Sequence, residues 1–243
     1  MGKIIKNVIL TLLILTLSTS TAFLAYLHFF ASDDRELSGE WTANLDMTQQ
    51  AAVTAFSWLQ DIEAIDISLE DMEAYMQDLN IQVDLTLEQS DRFKGTFHCN
   101  VLPESYDACN QAAYEAFAMA FQELLAERLQ MAGYSAGTDQ ESIEALVNET
   151  FGMSTVSYLM SYGPELLPSL EDLQAQYDGS GTYEATEDIL TRQFDMGGVV
   201  ITKIEYYIRK DSNLILFDEI GSDSSESFSD YDSVIYTLKR LQN

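Results

Sequence analysis

The chain predicts an α+β fold: an N-terminal transmembrane helix, then an antiparallel sheet interrupted by a large helical insertion. Three observations carry this expectation. An uncharged apolar run of 25 residues, Asn7 to Ala31, precedes every one of the 40 acidic residues. Strand-period alternation appears on both sides of a long helix-period stretch. No repeat or linker divides the remainder, and three prolines leave no room for a Pro-rich stalk.

The apolar run comes first. At about 1.5 Å of rise per residue it exceeds the roughly 30 Å hydrocarbon core of a bilayer, so it spans with some tilt. Lys3 and Lys6 before it keep the N-terminus cytoplasmic, and Tyr26, Phe29 and Phe30 suit the outer interface. The expected division is a cytoplasmic tip and anchor over 1–32, and an extracytoplasmic acidic domain over 33–243. The alternative is secretion after signal cleavage near Ala22, since Ser20 and Ala22 are small residues where a signal peptidase reads. The first cysteine is Cys99, too late for a bacterial lipid anchor, and Lys6 spoils a myristoylation pattern.

In the outer segment, Leu37, Gly39, Trp41, Ala43 and Leu45 share one face at the period of a strand. Helical spacing follows from Thr48 to Ile62, and Ser68 opens a second helix with Met72, Tyr75, Met76 and Leu79 on one side. Ile81 to Glu88 and Phe93 to Val101 alternate as a hairpin around a Ser90-Asp91 turn. The helical insertion, about 103–180, begins with one long helix over 104–132. Shorter helices at about 139–151, 154–162 and 169–177 follow, punctuated by Gly133, Gly137, Gly152 and Gly163. The strand pattern returns at Gly181 to Glu187, Val199 to Arg209, Leu214 to Ile220 and Ser233 to Leu241. The loop 221–232 is rich in Ser and Asp.

The strand opening Gly39-Glu40-Trp41, the antiparallel strands after it and a late basic pair, Lys239-Arg240, resemble the lipocalin-like, or calycin, pattern. That resemblance implies a barrel, closed or incomplete, opened by Gly39 and Trp41, with Arg240 packed over the tryptophan. The arrangement also looks like that of membrane-tethered surface proteins of Gram-positive anaerobes, which supplies a compartment and no activity.

Charge and chemistry bound the function. Beyond Lys6 the chain has 10 basic against 40 acidic residues, a field that repels nucleic acid and anionic headgroups. His98 is the sole histidine outside the apolar run, and Cys99 beside it points to the opposite strand face, so the two do not pair as base and nucleophile. Cys99 and Cys109, the only cysteines, suit two readings. A nine-residue connection allows the roughly 4.4–6.8 Å Cα separation of a disulfide, and two buried thiols on apolar faces fit as well. Asp223, Glu226, Asp230 and Asp232 suggest calcium, without the spacing or glycine of an EF-hand loop. Met72, Met76, Met119 and Met131 read as helix packing.

No cofactor and no catalytic residue is expected. The expected function is a non-catalytic, membrane-anchored, extracytoplasmic binding or interaction module for a protein or small molecule outside the cell. The alternatives are a lipocalin-like carrier of a small apolar ligand and a cell-envelope hydrolase using carboxylates.

Overall fold

The structure, a computed structural model, describes residues 37–60, 67–134, 137–195, 198–218 and 233–239. Eight strands form a closed antiparallel barrel in which spatial order equals chain order. They are β1 (Gly39–Asp46), β2 (Asn80–Asp91), β3 (Lys94–Val101), β4 (Gly179–Thr186), β5 (Ile189–Asp195), β6 (Val200–Lys210), β7 (Asn213–Asp218) and β8 (Ser233–Leu238). β1 closes the barrel against β8 through Trp41–Leu238, Thr42–Thr237 and Ala43–Tyr236. The barrel is complete rather than partial, and this up-and-down order is the architecture that lipocalins use.

Among the described residues six helices occupy two of the connections: α1 (Thr48–Gln60) and α2 (Leu69–Tyr75) between β1 and β2, and α3 (Pro103–Met131), α4 (Gln140–Phe151), α5 (Thr155–Tyr162) and α6 (Leu170–Tyr177) between β3 and β4. Local chemistry sets their starts. Ser68 caps α2 in a reciprocal box with Asp71, Asp139, Ser154 and Ser169 cap the three short helices, and Pro103 opens α3 where no N–H is needed.

Because the strands alternate direction, both helical connections leave the same end of the barrel. The other end has tight turns at Arg92-Phe93, Glu187-Asp188 and Asp211-Ser212, and β1 enters there. Against the helix end, Ala51, Ala52 and Ala55 of α1 and Ala113, Ala116 and Ala120 of α3 are buried, so small side chains let the helices approach closely. α3 packs on β2 and α6 on β3. One apolar core runs from Trp41 and Leu87 inside the barrel to Leu59 and Phe117 beneath the helices.

Three expectations are corrected, and a fourth lies outside what the structure describes. A strand, β5, stands at Ile189–Asp195 where no strand is expected, because its inward set Leu190, Arg192, Phe194 carries a charge in the middle and breaks the apolar alternation. The β2–β3 turn sits at Arg92-Phe93, with the ladder continuing through Asp91 past an irregularity near Ser90. Met119 and Met131 are exposed on α3, at 48% and 72%, while Met72 and Met76 are fully buried. The apolar run and the predicted anchor lie outside the described residues, and no helix among the described residues is long and apolar enough to cross a membrane.

Candidate functional site

Alternation in β5 and β6 turns Arg192 and Glu205 into the barrel. An isolated charge there is costly, so the two must satisfy each other. Arg192 Nε donates to Glu205 Oε2 at 2.6 Å and Nη2 donates to Oε1 at 2.7 Å, with the residues 6% and 3% exposed. This is the bidentate fork that guanidinium and carboxylate geometry favours. The guanidinium also lies 5.3 Å from the ring centres of Phe97 and Phe194. Glycines make room: a Cβ on Gly179 would meet the Phe194 ring at 2.5 Å, and one on Gly181 would meet the Gln193 carbonyl at 1.9 Å.

Around this pair lies a cavity of about 90 Å³ lined by Cys99, Arg192, Phe194, Lys203, Glu205, Leu216 and Tyr236, with Gln176 and Tyr177 contributed by α6. Lys203, at the mouth, reaches Glu205 Oε1 at 3.1 Å while 44% of its side chain stays exposed. Deeper in, the Cys99 Sγ and Tyr236 Oη lie 3.9 Å apart.

Burial decides the charge state of these groups. It pushes the Cys99 thiol up, with Arg192 opposing, and pushes the Tyr236 phenol up strongly, with the neighbouring Cys99 adding to it. Burial pulls Arg192 down, but the hydrogen bonds and charge of Glu205 outweigh it and raise the guanidinium. Burial therefore keeps the thiol and the phenol neutral at neutral pH, beside the Arg192–Glu205 pair and Lys203. The thiol is protonated, and Glu205 is held by two cationic side chains. Among the described residues, no group of three or more His, Cys, Asp and Glu is placed to hold a metal ion.

A second concavity, about 410 Å³, lies between α2 and α3, where Asp71, Glu123 and Glu127 surround Tyr75. The Tyr75 phenol donates to Glu123, and that bond with the surrounding carboxylates pushes it up to about 12. It is open and acid-rimmed, with no group poised for chemistry.

The residues singled out in the sequence are dispersed. Trp41 is fully buried near the turn end, its Nε1 donating to the Leu37 carbonyl at 3.0 Å, and Gly39 packs against Leu238. A guanidinium does lie over the indole, 5.6 Å from its centre, but it belongs to Arg209 of β6. Arg240 lies outside the described residues, as do the calcium candidates Asp223, Glu226, Asp230 and Asp232. Cys99 and Cys109 are free and buried, so the crosslink is not formed: Cys99 faces the barrel interior, whereas Cys109 sits on α3, where burial and then Asp46 push its thiol up to about 11. His98 is exposed on the outer face of β3.

Sequence reasoning placed Cys99 on an inward face and missed Arg192, Lys203, Glu205 and Tyr236. One signal was present: charged residues at the same parity as apolar ones, Leu190-x-Arg192-x-Phe194 and Lys203-x-Glu205-x-Tyr207, in strands that prove to be neighbours.

No protein-family model matches the chain, and no curated protein does. Among solved structures, the chain is similar to a crystal structure of a mutant of the fluorescent protein UnaG, at 10% identity and a TM-score of 0.27, covering 86% of this chain and 99% of that one. The architecture assigned above rests on strand pairing in this chain.

Proposed function

We propose that the chain is a non-catalytic binding module, tethered to the cell membrane by the apolar segment before residue 32 with residues 33–243 outside, and that the cavity at the helix end of the barrel takes its ligand. The observation that carries this reading is the polar lining of that cavity: Arg192 and Lys203 against the single carboxylate of Glu205. In a chain with a formal charge of −28, a pocket whose lining has an excess of cations selects for an anion.

Size narrows the class. A cavity of about 90 Å³ is smaller than the roughly 150 Å³ that holds benzene. It admits a small carboxylate, or the acidic head of a longer molecule whose remainder leaves through the mouth. The carboxylate would meet Lys203 and the unused donors of Arg192, with its carbon end against Phe194 and Leu216. A lipid-sized apolar ligand finds the barrel already filled by Trp41, Leu85, Phe97, Tyr183, Leu190 and Leu214.

Isothermal titration calorimetry of the full chain with propionate tests this. Lys203→Gln removes the accessible cation and leaves the buried pair intact, so affinity should fall about tenfold or more, while the melting temperature stays near that of the parent. An apolar environment-sensitive fluorophore should show no saturable binding. No heat with propionate, or equal affinity in Lys203→Gln, would remove the anion reading; saturable fluorophore binding would favour an apolar carrier.

A further inference from the structure

The two halves of the barrel present different outer surfaces. On β1–β4 every outward position is polar, as at Glu40, Asp84, Thr96 and Glu184. On β6–β8 the outward positions include Ile204, Tyr206, Ile208, Ile215, Phe217 and Ile235, and none of the outward positions of these three strands is acidic. Ile204, Ile208 and Ile235 are 48%, 51% and 55% exposed. Register makes the face continuous, since Ile208 pairs with Ile215 and Ile215 with Ile235, while the Tyr206 and Phe217 rings stack at 5.7 Å beside them. Scattered exposed isoleucines are ordinary; a contiguous apolar face across three strands marks an interaction surface.

Charge decides what covers it. A cationic partner would be drawn to the described parts of the long helical connections, 47–60, 67–79, 102–134 and 137–178, which hold 17 of the 29 acidic residues among the described ones and one basic residue, Arg128. Two copies of so acidic a chain repel each other over most of their surface, and an isologous contact needs a patch that can meet its own image. The acid-free face of β6–β8 meets that condition, and a second copy supplies the same apolar surface in return.

We infer that the outward face of β6–β8 is a homodimer interface, two barrels packing side by side about an axis parallel to their strands. That axis keeps both chain entries at the same end, as tethering to one membrane requires. The inference is independent of the ligand; only the shared orientation depends on the anchor.

Disulfide trapping of the full chain in intact membranes tests it. Ile215 is on the central strand of the face, where the two-fold axis brings it against its own copy, and the native thiols Cys99 and Cys109 are buried. Under mild oxidation, Ile215→Cys should give a species of twice the chain mass, Thr96→Cys on the opposite half should give at least about tenfold less, and Ile204→Glu or Ile204→Ser in the Ile215→Cys background should suppress the product. Equal crosslinking from both halves, no crosslink from Ile215→Cys, or an adduct with a different protein would each overturn the homodimer.

Discussion

Arg192 and Glu205 each sit where an unpaired charge is untenable, so their removal should be strongly asymmetric. Arg192→Leu leaves a carboxylate buried with only Lys203 near it and is expected to cost about 3–5 kcal/mol, whereas Arg192→Leu with Glu205→Leu should recover most of that loss. Urea unfolding of both variants measures the difference, and a single substitution within about 1 kcal/mol of the parent would contradict the pairing. The cysteines give a second residue-scale test. Buried and with raised thiol pKa values, Cys99 and Cys109 should resist iodoacetamide at pH 8 in the folded chain and both react after denaturation without reductant. A crosslinked peptide on non-reducing mapping would contradict the free thiols. The tryptophan shows how far residue-level reading reaches: the Gly39-Glu40-Trp41 opening placed Trp41 in the barrel core, and strand pairing adds the guanidinium of Arg209 over its indole.

At the scale of elements, the strands and helices with clean periodicity were legible to within about four residues at their ends, because one face of each is apolar and local caps mark the helix starts. β5 was not. A strand that turns Arg192 inward breaks the alternation by which strands are recognised, and its compensating partner Glu205 lies on the next strand, beyond any local window. The same feature that hid the strand makes the site. Its position also depends on close approach of β4 and β5: a Cβ on Gly181 would meet the Gln193 carbonyl oxygen at 1.9 Å. Since backbone rather than a flexible side chain is in the way, Gly181→Ala should destabilise by about 2 kcal/mol or more and weaken propionate binding by displacing Arg192, while Ser180→Ala, exposed next to it, stays within about 0.5 kcal/mol. Matched thermal denaturation of the two variants checks this; equal stabilities would mean the strands have room the structure does not show.

For the whole molecule, composition foretold an acidic domain but not the segregation of its charge. The connections at the helix end carry most of the acids, the outer face of β6–β8 carries none, and the cavity lining has more cations than carboxylates. These three environments give one account: an acid-rich cap, a face suited to a second copy, and an interior pocket for an anion. The last is the central claim, and a crystal structure of the full chain grown with propionate tests it most directly. The account predicts carboxylate density in the barrel cavity against Lys203 and Arg192, with the Arg192–Glu205 pair retained; a cavity holding only water at saturating propionate would contradict it.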